Sequence, residues 1–312
     1  MLHLFIQFIA ALGALYFIFW LVLWARRYFR LPSVLPDTVF PDSKFIEVAG
    51  FRIRYIQRGP KSSPDLVLIH GLGASIYGWR HVLDELTQSF RVTAFDLPGF
   101  GLSDKHVKEK YGLDEQTRRV FQLLDQLKIK NFFIVGHSMG GSIAAWMTKT
   151  SPSRVLKVGL LAPAVDRRLI HINPDFWWWG LKLLKNFIVT PQLVKRIYLS
   201  VCTLKPPENL GVIIEHYYKP YHQRPEAAET FFKHLHLIRD SRLTQEMVTI
   251  ERETLVIYGE KDPVIRKKSL ISFLEKNPLA RLCTIAGAGH LIAEETPHLV
   301  TKNLLDFFTT RI

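Results

Sequence analysis

Residues 132–149 read Phe-Phe-Ile-Val-Gly-His-Ser-Met-Gly-Gly-Ser-Ile-Ala-Ala-Trp-Met-Thr-Lys. A short β-branched and aromatic run leads through Gly136-His137-Ser138-Met139-Gly140-Gly141 into a helix-forming stretch, so Ser138 sits at the apex of a tight strand-to-helix turn. Small residues are needed there, because side chains at 136 and 140 would collide with the neighbouring strand and helix. The turn places Ser138 at a helix N-terminus, where free N–H groups and the local dipole favour a developing negative charge. That is the setting of an activated serine nucleophile, and it calls for a base and an orienting acid.

Working outward, further apolar runs lie at residues 45–48, 51–56, 66–69, 92–95, 155–161, 255–258 and 282–285. The first two flank Ala49-Gly50 and predict a hairpin. The others alternate with helix-period segments, which predicts an α/β fold with a largely parallel sheet covered on both faces. From residue 164 to 250 no strand run occurs. The stretch is amphipathic, aromatic-rich and punctuated by Pro174, Pro191, Pro206, Pro207, Pro220 and Pro225, and it reads as a helical cap inserted between two sheet strands. The expected organisation is an anchor with its basic flank over 1–30, a linker over 31–44, the α/β core over 45–163 and 251–312, and the cap over 164–250.

The partners of Ser138 are sought at strand ends, where sites on such sheets collect. Gly287-Ala288-Gly289-His290 follows the run ending at Ile285 and makes His290 the candidate base. Gly259-Glu260-Lys261-Asp262-Pro263 follows another run and offers Asp262 as the acid, with Asp166 at the entrance to the insertion as an alternative. His70-Gly71-Leu72-Gly73 follows residues 66–69. The backbone N–H groups of Leu72 and Met139 are the candidate oxyanion donors. His171, His216, His222, His234 and His236 match no metal-ligand spacing and read as packing or surface residues. No cofactor or metal is called for.

Taken with Trp79 and the stretch Asp96-Leu97-Pro98-Gly99-Phe100-Gly101-Leu102-Ser103-Asp104, these segments resemble the capped branch of the α/β-hydrolase superfamily over residues 45–312. The chain order Ser, Asp, His is the order that resemblance implies. The branch contains esterases, monoacylglycerol lipases, carbon–carbon bond hydrolases, epoxide hydrolases and haloalkane dehalogenases. The last two place an aspartate where this chain has Ser138, so acyl transfer through an acyl-enzyme is the expected chemistry.

Composition bounds the rest. Of the 312 residues, 48% are apolar and 22% charged, which excludes a disordered or collagen-like chain. Cys202 and Cys283 alone give no disulfide framework and no zinc spacing. The net charge of +13 draws the surface to an anionic partner, nucleic acid or a phospholipid leaflet, and the N-terminus favours the leaflet. Residues 4–24 carry no charge and one strongly polar side chain, Gln7. As a helix they would extend about 30 Å, enough to span a bilayer core. No Lys or Arg precedes this stretch, and Arg26, Arg27 and Arg30 follow it, so an uncleaved single-pass anchor with the remaining chain in the cytoplasm is expected. Trp20, Trp24 and Tyr28 suit the interface.

An anchor ahead of a capped serine hydrolase looks most like the membrane-bound monoacylglycerol lipases. Residues 176–200 hold Lys182, Lys185, Lys195 and Arg196, no acid, and an apolar load including Trp177, Trp178, Trp179 and Phe187. That composition suits an interfacial helix, and equally a cap whose aromatics pack inward while its lysines stay solvated. Tyr217, Tyr218 and Tyr221 are candidates to line a pocket. The leading expectation is hydrolysis of a lipid ester such as a monoacylglycerol. The alternatives are a hydrolase of small esters or of a carbon–carbon bond in a diketone, and a non-catalytic membrane scaffold.

Overall fold

The computed structural model describes residues 12–21, 39–165, 189–202, 207–224, 226–240, 242 and 249–310. The chain divides into two compact units, 1–37 and 38–312. In the first, residues 12–21 are helical with Leu15, Tyr16 and Phe17 exposed. Ten residues of helix cover only about 15 Å. The bilayer-long helix expected over 4–24 is therefore not seen as such: among the described residues no helix is long and apolar enough to cross a membrane, and residues 4–11 and 22–24 lie outside them.

The second unit holds one eight-stranded sheet in the order β1-β2-β4-β3-β5-β6-β7-β8. The strands are β1 (Lys44–Val48), β2 (Phe51–Arg58), β3 (Asp65–Ile69), β4 (Arg91–Phe95), β5 (Phe132–His137), β6 (Val155–Leu161), β7 (Thr254–Gly259) and β8 (Ala280–Ile285). The expected hairpin is β1–β2, closed by Ala49 and Gly50, both at positive φ. β1–β2 and β2–β4 are antiparallel, and every pairing from β3 through β8 is parallel.

Side chains of the central strands alternate between two cores, as a period of two requires. Val67, Ile69, Phe132 and Ile134 face one core. Helices α1 (Leu113–Gln126) and α2 (Met139–Thr150) cover that side with Val120, Leu123, Ile143 and Ala144. Leu66, Leu68, Phe133 and Val135 face the other core, beneath Val300, Leu304, Phe307 and Phe308 of the C-terminal helix Pro297–Thr309. These strands are buried on both faces, so their sequences are continuous apolar runs.

Between β6 and β7 the described residues form α3 (Pro191–Val201), α4 (Leu210–Gln223) and α5 (Glu226–Ile238). Thr190 caps α3 by accepting from the Leu193 N–H, and Pro191 opens its first turn, where a missing N–H costs nothing. Pro220, expected to punctuate, instead lies inside α4. A third apolar cluster, Tyr77, Tyr198, Ile213 and Ile214, joins α3 and α4 to the 3-10 turn Ile76–Trp79.

The turn after β5 has no room for side chains. A Cβ on Gly136 would lie 2.2 Å from the Gly140 carbonyl oxygen, and one on Gly140 would lie 2.2 Å from that of Ile69. Both obstacles are backbone and cannot swing aside. Gly140→Ala is therefore expected to cost about 3 kcal/mol or more in urea unfolding. Gly211→Ala, in α4 with nothing within 4 Å, is expected to stabilise by about 0.5–1 kcal/mol.

Candidate active site

Ser138, Asp262 and His290 each follow a strand of the parallel set, β5, β7 and β8 respectively, so all three gather at the C-terminal edge of the sheet. Ser138 has φ 52° and ψ −116°, a strained conformation for a residue with a Cβ. Its N–H donates to Leu161 O at 2.9 Å, and its carbonyl accepts from Gly141 N at 2.9 Å and Ala164 N at 3.0 Å. These bonds over-determine the turn and hold the strain.

His290 Nε2 lies 3.0 Å from Ser138 Oγ, and His290 Nδ1 lies 2.8 Å from Asp262 Oδ2. The carboxylate can only accept, which places the proton on Nδ1 and leaves Nε2 to accept from the serine hydroxyl. The Asp262 side chain is fully buried. Its other oxygen, Oδ1, accepts from the N–H groups of Val264 at 2.7 Å and Ile265 at 2.9 Å, which fixes the plane of the carboxylate. The chain thus brings the three expected residues into one relay. Asp166, the alternative acid, lies outside the described residues.

Met139 is the first residue of α2, and Leu72 lines the cavity above Ser138. The 71–73 loop passes close enough that a Cβ on Gly71 would lie 3.2 Å from Ser138 Cβ. His70 props this loop from below: Nδ1–H donates to Gly71 O at 2.8 Å, and Nε2 accepts from Leu97 N at 2.9 Å. Asp96 is structural. Fully buried, it accepts from Ile76 N at 2.8 Å and Leu102 N at 2.7 Å.

Ser138 and His290 open onto a cavity of about 450 Å³, walled by cap residues such as Leu193, Ile197, Val201 and Phe231. Tyr217 and Tyr221 line it, and Tyr218 is not among the lining residues. Lys195 and Arg196 are exposed on α3. Trp177, Trp178, Trp179, Lys182, Lys185, Phe187 and His171 lie outside the described residues. No group of three His, Cys, Asp or Glu suited to a metal ion occurs among the described residues.

Sequence reasoning passed over His137 and Glu294. His137 Nε2–H donates to the His290 carbonyl at 2.9 Å and steadies the loop that carries the base. Its position inside the glycine turn was the available signal. Glu294, four residues after His290, is a buried carboxylate on the cavity wall, and nothing in its sequence context distinguishes it from a solvated helix acid.

Residues 64–198 match the family described as alpha/beta hydrolase fold. The chain is 23% identical to epoxide hydrolase 1 of Caenorhabditis elegans, over 91% of this chain and 74% of that protein. It is also 23% identical to the monoacylglycerol lipase ABHD6 of Bos taurus, over 86% and 82% respectively. Among solved structures, a membrane phospholipase A described as a bacterial virulence factor superposes with a TM-score of 0.71 at 25% identity, covering 98% of this chain and 96% of that one.

Two buried histidines shape the acid response. Burial holds His137 down at about 3 and His234, wedged between Gln116 and Thr230 O, down at about 3. Below about 6.5 the unfolded chain binds protons that these folded imidazoles refuse, so stability falls as pH drops from 6.5 towards 3. Each site contributes up to about 1.4 kcal/mol per pH unit. Urea unfolding at pH 7 and pH 5 should show this loss, and His234→Leu should flatten it; an unchanged slope would mean that folded His234 takes up the proton.

Proposed function

We infer that the chain is a serine hydrolase of carboxylic esters, acting on single-chain lipid esters such as monoacylglycerols, in keeping with its alpha/beta hydrolase fold and the family match over residues 64–198. The observation that carries this reading is the Ser138–His290–Asp262 relay opening onto an apolar cavity. A nucleophilic oxygen with an aligned base forms an acyl ester. A cavity of about 450 Å³ walled by aliphatic and aromatic side chains suits one acyl chain.

In the proposed cycle Ser138 Oγ attacks the ester carbonyl carbon while His290 Nε2 takes the hydroxyl proton. The carbonyl oxygen becomes an oxyanion that accepts from the N–H groups of Leu72 and Met139. As the C–O bond to the alcohol breaks, His290 passes the proton to the departing oxygen, leaving the acyl group on Ser138. Water then attacks the acyl carbon, giving a proton to His290, which returns it to Ser138 Oγ as the carboxylic acid is released. Asp262, rigid on its two backbone donors, orients the imidazole and stabilises its charged form.

The membrane belongs to the same proposal. The uncharged stretch over 4–24 and the arginines at 26, 27 and 30 support a single-pass anchor with the hydrolase on the cytoplasmic side, and the likeness to a membrane phospholipase A supports a place at the membrane. Ile197 is 54% exposed, beside exposed Lys195 and Arg196, and also lines the cavity. An apolar cavity rim flanked by bases suits entry of lipid from an anionic leaflet.

Ser138→Ala should abolish fluorophosphonate labelling and lower ester turnover by at least about a thousandfold with the fold retained. Asp262→Asn should impair turnover with little change in stability, and activity near wild type in either variant would overturn the assignment. A hydrolysis screen across monoacylglycerols, lysophospholipids and short esters reads the substrate class. Protease added to sealed vesicles of the native orientation should leave the hydrolase intact, whereas cleavage from the extracytoplasmic face would reverse the topology.

A further inference from the structure

The hydrolysis proposed above makes no use of Glu294, although its side chain is only 4% exposed and lines the same cavity as Ser138. It sits on the short helix Ile292–Glu295, one turn beyond His290. A carboxylate withdrawn from water must recover its charge partner and its hydrogen bonds within the protein, and three side chains supply them. Arg80 Nη2 lies 2.6 Å from Oε2, and the Tyr198 hydroxyl donates to the same oxygen at 3.4 Å. The Tyr217 hydroxyl donates to Oε1.

These partners come from different parts of the chain. Arg80 follows the 3-10 turn Ile76–Trp79; its guanidinium lies 4.1 Å from the Tyr77 ring centroid and donates to Tyr77 O at 3.0 Å. Tyr198 and Tyr217 belong to α3 and α4 of the insertion. A second bond runs to the same place: the His290 N–H donates to Val201 O, at the C-terminal end of α3, at 2.9 Å. The opposite side of that residue is held by His137, which donates to the His290 carbonyl. The His290 backbone is therefore gripped by the sheet on one side and by the cap on the other.

We propose that Tyr198 and Tyr217 are positioning residues for His290: through Glu294 and the Val201–His290 bond, seating of α3 and α4 and alignment of the imidazole on Ser138 are one event. The proposal rests on the reading of Ser138 as an ester-cleaving nucleophile. Phenyl rings would fill the cluster around Tyr77, Ile213 and Ile214 as well as phenols do. The hydroxyls matter only because a buried carboxylate needs donors. Burial holds the Tyr217 phenol well above its ordinary range, so it remains a donor at every working pH. When the two donors are lost, the helix that begins just after His290 loses its side-chain tie to the cap, and the Val201–His290 bond is left alone to hold the 3.0 Å approach of Nε2 to Oγ. An error of about 1 Å at such a contact is enough to cost about a hundredfold in rate.

The test is the Tyr198→Phe/Tyr217→Phe double variant of the full-length protein in detergent, assayed with p-nitrophenyl butyrate and by the rate of fluorophosphonate labelling. The expected result is a kcat at least about tenfold lower, with labelling slowed by a similar factor and KM within about threefold of wild type. A role confined to packing the cap would move KM and the melting temperature and leave kcat in place, and that outcome overturns the inference. Should the double variant not fold, Tyr217→Phe alone keeps the ring and reads the same split between kcat and KM. A wild-type protein that is neither labelled nor active on any ester overturns the hydrolase reading, and the inference with it. A labelled, active wild type matched in kcat by the folded variant overturns the inference alone.

Discussion

The site depends on how closely the chain leaving β5 can pass the end of β3. Gly140 lies so near the Ile69 carbonyl, and Gly136 so near Gly140, that neither can carry even a methyl group. This approach drives Ser138 to positive φ and lifts its hydroxyl clear of the sheet. Bonds from Ser138 N to Leu161 and from Ala164 N to Ser138 O then pin the turn to β6 and its continuation. The strain is supported by the parallel core on both faces, which is why a turn of three glycines around one serine can be rigid.

The parallel strands β3 to β8 deliver the loops that leave them to one edge of the sheet. Asp262 and His290 arrive there because β7 and β8 are neighbours, and Ser138 because β5 lies two strands away from β7. Proximity along the edge is not sufficient. Asp262 is oriented by Val264 and Ile265, and His290 is oriented by Asp262, His137 and Val201. Asp262 is aimed by backbone donors and His290 by groups from the sheet and the cap together, so the relay is assembled before any ligand arrives.

Much of this was legible in the sequence because strand ends and glycine turns have local signatures. The eight strands appear where the apolar runs lie, extended by a residue or two wherever a polar or small residue, such as Lys44, Arg58, Asp65 or Thr254, completes a ladder. Ser138, Asp262 and His290 were legible because each stands at a fixed offset from a strand. His137 and Glu294 were not. Their meaning lies in contacts with His290 O and with Arg80, Tyr198 and Tyr217, groups brought near by folding across as many as 214 positions, and no periodicity reports such pairs. Pro220 misled for a related reason, because a proline near the end of a helix removes one N–H and is tolerated where packing continues on either side.

The insertion occupies the connection between two neighbouring parallel strands, β6 and β7. Such a connection must travel back along the sheet in any case, and the entropic cost of lengthening it grows only with the logarithm of its length. To the sheet, the insertion is a cassette. Evolution or an engineer can exchange it to rewrite the shape of the chamber while leaving Ser138, Asp262 and His290 on their strands. The exchange has one fixed socket: the incoming segment must end a helix with a free carbonyl at the place of Val201 and bring donors to Glu294. A graft that matches the chamber but misses that socket would inherit a well-formed serine beside a histidine with nothing overhead to hold it.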